Sequence, residues 1–140
     1  ASGTKLTTSH GRLGLPAEFG LSWLLPRLIG VTRAADLLLS SRVVLAEEAE
    51  RMGLINKTLA ADELLPYTYE YADRLATEIA PSSLASTKVQ LYRDLHTDAA
   101  SSVEDAGRRL VAMMRNADFA EGVAALTEKR PPAFGGGPET

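Results

Sequence analysis

From residue 61 onward the sequence reads as four amphipathic helices in a row, with very little else to cover them. Asp62 is the expected cap of the first, whose apolar set is Leu64, Tyr71, Ala72, Leu75, Ala76 and Ile79. Pro66 is expected in its first turn, where a missing N–H does least harm. Pro81 with Ser82 and Ser83 restarts the chain into a second helix carrying Leu84, Leu91, Tyr92 and Leu95. Ser101 and Glu104 have the spacing of a capping box for a third, which carries Val103, Leu110, Val111 and Met114. Asp118 and Glu121 repeat that spacing ahead of Val123 and Leu126. Each helix has an apolar face that needs a partner, yet only two or three short strands are expected. The chain is therefore expected to complete its core against other polypeptide.

The strand candidates lie before residue 60. Residues 1–8 are polar and rich in threonine and serine, which suits an edge strand, and residues 10–14 read as a loop. In residues 14–30 a glycine-punctuated turn places Glu18 ahead of Leu21, Leu24, Leu25 and Leu28, which have helical spacing. Pro26 should kink or divide that helix and Gly30 should stop it. Thr32 is the expected cap of a second short helix over residues 34–39. Residues 42–45 and 54–59 read as strands flanking a helix, Ala46–Met52, that ends at Gly53, giving a small βαβ-like unit. Residues 131–137 cannot form a regular element, and no internal repeat is visible.

Composition removes several function classes. The chain is 45% hydrophobic and 24% charged, as in ordinary globular proteins, so a core of useful size is possible. The net charge is −3 with no basic run, and aromatics are only 6%, so nucleic acid is not an expected partner. With no cysteine there is no disulfide, thiolate nucleophile or zinc-thiolate site, which suits a cytoplasmic setting. No apolar run reaches membrane-spanning length, no signal peptide is recognisable, and no metal-ligand spacing occurs. The opening Ala1 leaves methionine removal, processing and an arbitrary boundary equally open.

Glu18 is the candidate for chemistry. The positive end of the following helix favours its ionised form, while apolar neighbours oppose it. A carboxylate pulled both ways beside a hydrophobic pocket can serve as a general acid/base; otherwise it only complements the helix dipole. His10, on a glycine-flanked loop, either lines a pocket or is solvated. Trp23 suits either a core or a ligand contact. Ser22 has no His–Asp company, and Lys129 and Arg130 end a helix, where cations offset the dipole.

Three segments resemble the crotonase family, the enoyl-CoA hydratase/isomerase superfamily. The first is Gly14-Leu15 through Gly20 with Leu25-Pro26-Arg27-Leu28-Ile29-Gly30. The second is Ala46-Glu47-Glu48-Ala49 with Met52-Gly53-Leu54-Ile55-Asn56. The third is Asp118-Phe119-Ala120-Glu121-Gly122 with Glu128-Lys129-Arg130-Pro131-Pro132-Ala133-Phe134. The resemblance implies an α/β crotonase-like fold (the ClpP/crotonase β-β-α spiral), of which this chain is the mostly α-helical C-terminal half. Residues 1–60 would end the spiral core and carry the active-site turn, 61–130 would form the helical oligomerisation region, and 131–140 an irregular tail. The implied substrate is an acyl-CoA thioester, with no cofactor beyond the coenzyme A it carries. The implied partners are an N-terminal-half polypeptide supplying the oxyanion hole, and further copies in a homotrimer or hexamer. Hydratases of the family carry a glutamate at the position matching His10. Some isomerases carry their single glutamate at the position matching Glu18, in a Leu-x-x-Glu-Gly pattern that Phe19 breaks here. The resemblance thus makes Glu18 catalytic and places His10, Leu15, Trp23, Leu126, Lys129 and Arg130 against substrate, the last two near the adenine and phosphates. Double-bond isomerisation is the implied reaction; a hydratase with a divergent site, or a non-catalytic assembly protein, are the alternatives.

Overall fold

Gly30 makes the sharpest reversal in the first part of the chain. Its φ of 79° belongs to a residue without a Cβ, and it separates α1 (Leu21–Ile29) from α2 (Val31–Ser40), which pack on each other. The computed structural model describes residues 1–135, so the end of the irregular tail expected over 131–140 lies outside them; the described residues form two units, divided between Thr68 and Tyr69. In the first unit the core is Leu25, Ile29, Ala34, Leu37 and Val44, with Leu6, Leu21, Leu38, Met52 and Leu54 packed against it. The apolar spacing of α1 and α2 aims one stripe of each helix into this cluster.

Two strands of two residues each close the first unit. β1 (Lys5–Leu6) pairs antiparallel with β2 (Val44–Leu45), Leu6 opposite Val44. α3 (Ala46–Met52) follows directly, and Gly53 caps it in the left-handed region. Arg42 ties α2 to α3: its Nε donates to Asp36 and its Nη2 to Glu48, each at 2.7 Å. That hydrogen bond holds the Glu48 carboxyl below the usual carboxylate range.

Several expectations are corrected here. Residues 54–59 are not a strand: the amide of Leu54 donates to Ala49 O and that of Thr58 to a Glu50 carboxylate oxygen, so α3 takes the bonds a ladder would need. The βαβ-like unit is accordingly absent. α1 runs through Pro26 without dividing; the proline forfeits one bond, to Ser22 O, while packing of Leu25 and Ile29 holds the rest. Thr32 lies inside α2, whose first bonded carbonyl is that of Gly30. Residues 10–14 are no open loop but a 3-10 turn, His10–Leu13, closed by Gly14 at φ 70°.

The second unit is helical. The boundary falls within α4 (Ala61–Glu78), which is followed by α5 (Pro81–Asp94), α6 (Ala99–Met113) and α7 (Ala117–Glu128). Ala60, not Asp62, receives the first bonds of α4, and Pro66 sits in the second turn. Pro81 occupies the first position of α5 as expected. The α6 cap is Asp98, which accepts from the Ser101 amide at 3.0 Å, so Ser101 is a partner of the cap and Glu104 instead binds Arg108. Asn116 caps α7; Asp118 is engaged by Ser82 and Glu121 by Arg130. Both boxes were misplaced because these side chains are taken up elsewhere: Ser101 by its own cap, Glu104 by Arg108 one turn on, Asp118 by Ser82 of α5 and Glu121 by Arg130. α5 and α6 are joined through Asp105, a buried carboxylate that takes Arg93 Nη1 and Arg109 Nε at 2.6 Å each. These cations hold its carboxyl far below the usual range. Neither α4 nor α5 contains a buried residue.

Candidate active site

The turn bearing His10 is fastened to the end of α2. The Thr7 hydroxyl donates to Ser41 O and the Thr8 hydroxyl to Leu37 O, both at 3.1 Å, and the Gly11 amide donates to Ser41 Oγ at 3.1 Å. Ser41 is only 1% exposed and adopts a positive φ of 46°, which aims its side chain back at Gly11. Gly11 has no room for a side chain, since a Cβ would lie 2.8 Å from that Oγ. His10, which this clamp fixes, is buried at 7% exposure, so it is not a solvated loop residue. Its Nδ1 is enclosed without a hydrogen-bond partner among the described residues. The Leu15 amide donates to His10 O at 3.0 Å, which joins those two residues at the base of the next segment.

Glu18 stands at the far end of that segment, just ahead of α1. It is exposed, and no hydrogen bond or ion pair of its side chain is seen among the described residues. Its carbonyl accepts from Leu21 N at 3.0 Å, closing a turn through Phe19 and Gly20, both at positive φ (52° and 73°). Glu18 therefore stands two residues ahead of Gly20, the cap of α1, whose carbonyl accepts from the Trp23 and Leu24 amides. Trp23 is no core residue. It is 39% exposed, with the Arg27 guanidinium 3.9 Å above its ring and Arg27 Nη1 donating to its carbonyl. In the same unit a cavity of about 360 Å³ opens among Leu6, Leu25, Leu37, Val44 and Ile55, with Thr7 and Thr8 on its rim.

The remaining candidates lie in the second unit, around the end of α7. Lys129 caps the helix at φ 55°, and its side chain has no ion pair among the described residues. Arg130 is used differently. It grips Glu121 with Nη1 and Nη2 at 2.6 and 3.0 Å and reaches Glu128 with Nε at 2.6 Å. Glu121 also accepts from the Ala133 amide at 2.7 Å, and these donors pull its carboxyl down to about 2. Leu126 is 82% exposed at the lip of an apolar groove of about 520 Å³ that Leu110, Met113, Phe119 and Phe134 also line.

The sequence profile of the family described as enoyl-CoA hydratase/isomerase matches residues 1–137. The chain belongs to the enoyl-CoA hydratase/isomerase family. It is 42% identical over 127 residues to a probable enoyl-CoA hydratase, EchA12, of Mycobacterium tuberculosis, covering 86% of this chain and 43% of that protein. It is 35% identical over 126 residues to the human mitochondrial enoyl-CoA hydratase domain-containing protein 2, again covering 43% of the relative. A crystal structure of a probable enoyl-CoA hydratase/isomerase from Mycobacterium abscessus superposes with a TM-score of 0.93 at 32% identity, over 97% of this chain and 55% of that one. The chain thus spans less than half the length of these curated relatives, and its fold is the crotonase fold seen through a helix-rich portion.

Family membership gives the closing motif a physical meaning. Glu121 and Arg130 form a clamp that folds the segment after α7 back along the helix, where Phe134 comes within 3.9 Å of where a Cβ on Gly122 would be. Arg130 is thereby committed to carboxylates, while Lys129 is left to face solvent. Sequence reasoning passed over Ser41, Thr7 and Thr8, for hydroxyls that brace a turn carry no periodic signal. It also passed over the conformation of Phe19, although a glycine in the family pattern at that position is a sign that positive φ is required.

Proposed function

We propose that the chain carries the acid/base group of an acyl-CoA enzyme that shifts a double bond, with Glu18 as a single proton shuttle. The observation that carries this reading is the solitude of Glu18. It is the only carboxylate between His10 and Gly30, and it is exposed at the head of a helix with no cation among the described residues holding it. One base suffices for isomerisation: it takes a proton from C2 of a 3-enoyl thioester, leaving a dienolate, and returns it to C4. The dienolate needs oxyanion-hole donors, which on this reading come from polypeptide beyond this sequence. Losing one such donor costs about 3–4 kcal/mol. His10, Leu15 and Trp23 would line the acyl end, and Leu126 and Lys129 the coenzyme end. Lys129 would pair with phosphate, and Arg130 would fix the segment that presents it. No cofactor beyond the substrate's own coenzyme A is required, and the assembled enzyme would be a cytoplasmic trimer or hexamer. No helix among the described residues is long and apolar enough to cross a membrane.

Hydration is the second reading, favoured by relatives that bear the name enoyl-CoA hydratase. It would ask the buried His10 imidazole to share the handling of water with Glu18. Kinetics of the full-length subunit separates the two. Glu18→Gln keeps size and removes the base, so double-bond migration should fall about 10²–10⁴-fold while the Michaelis constant moves little. His10→Ala should reduce migration only mildly. Loss of water addition in both variants, with no migration activity in the parent enzyme, would establish hydration instead.

A further inference from the structure

Phe19 is an anomaly that the proton shuttle does not use. It is the residue next to Glu18, it holds a positive φ of 52°, and its side chain is 97% exposed. A left-handed conformation is unfavourable for a residue with a Cβ, and glycine would adopt it freely. A bulky residue there is uncommon, and such outliers cluster at ligand sites where the surroundings repay the strain. Within the described chain nothing repays it, because so exposed a ring gains no packing.

Chain geometry points to what does. Consecutive Cα atoms lie about 3.8 Å apart. A working base must reach within about 3 Å of the proton it removes. If Glu18 meets C2 and C4 of a thioester, the ring of the adjacent Phe19 is within reach of the acyl carbons beyond them. The turn closed by the Leu21 amide on Glu18 O fixes the two residues relative to each other. We propose that Phe19 is a specificity-determining residue whose ring forms the apolar contact for the acyl tail beyond C4. The proposal rests on the Glu18 reading and adds to it a preference for medium or long chains. A purely polar or very short acyl group would leave the ring as exposed as it is here.

The test uses the full-length subunit with 3-enoyl-CoA substrates of four and twelve carbons. Phe19→Gly relieves the backbone and removes the ring, so the fold is retained; Phe19→Leu keeps an apolar contact of smaller size. The expected result is a rise of about tenfold in the Michaelis constant for the twelve-carbon substrate in Phe19→Gly, the scale of one or two lost apolar contacts. The four-carbon constant should stay within about twofold, and Phe19→Leu should fall between. Equal Michaelis constants for parent and Phe19→Gly on the long substrate would overturn the proposal, as would an equal rise on both substrates. If Glu18→Gln stays fully active in the same assay, it is the shuttle reading that fails, so the two failures are distinguishable.

Discussion

Ser41 illustrates how one side chain can position a site without touching substrate. Its Oγ is the only acceptor seen for the Gly11 amide, and its carbonyl takes the Thr7 hydroxyl, so the His10 turn hangs on it. Ser41→Ala leaves the Gly11 N–H unpaired in a half-buried place, which costs about 1–3 kcal/mol. Urea unfolding of the full-length subunit should show a lower midpoint with an unchanged slope. An unaltered midpoint would mean that the Thr7 and Thr8 bonds hold the turn without the Ser41 hydroxyl. None of this was legible in the sequence, where Ser41 is one of two adjacent serines after a leucine run. Glu18 was legible as a carboxylate before a helix; that no cation holds it became visible only in three dimensions. His10 reads as loop because a single histidine between serine and glycine carries no burial signal, and its burial follows from bonds made some thirty residues away.

At the scale of elements, periodicity located all six long helices and missed their ends. α3 and the start of α5 were read correctly because Gly53 and Pro81 are local signals, decided by a residue's own backbone preference. The caps of α6 and α7 were misread because Asp98 and Asn116 stand ahead of equally plausible serine and aspartate residues. The strand expected at residues 54–59 failed because pairing is a long-range property, and α3 satisfied those amides first. The clamp after α7 carries a pH signature. Donors from Arg130 and the Ala133 amide lower the Glu121 carboxyl from 4.5 to about 2 in the folded chain. A group with a depressed folded pKa stabilises fully above its unfolded value, and that contribution is lost as pH falls from about 4.5 toward 2. The Ala133 amide should therefore lose hydrogen-exchange protection across that window. Glu121→Ala, which removes the acceptor, should show the loss already at neutral pH; full protection in that variant would contradict the clamp.

For the whole molecule, the decisive feature is the shortage of cover for the second unit. Leu110, Val111, Met114, Val123 and Leu126 are all about half exposed or more, on helices whose spacing marks these positions as apolar faces. Stable interfaces bury about 1,600 Å² in total, and faces of this extent should exceed that once covered. Sedimentation of the 140-residue chain alone should give oligomers or a loosely folded species; a monodisperse, well-folded monomer would count against the assembly reading. The balance of many helices against two minimal strands was legible from the sequence pattern. That further polypeptide covers the exposed faces is the expectation that the sedimentation experiment tests.

The claim that Glu18 shuttles the proton is tested most directly by deuterium incorporation into a 3-enoyl thioester in heavy water. The account predicts exchange at C2 and C4 by the full-length subunit, none by the 140-residue chain alone, and a loss of at least about a hundredfold in Glu18→Gln with thioester binding retained. Exchange at the parental rate in Glu18→Gln would contradict it, and exchange abolished only by His10→Ala would move the base to the histidine.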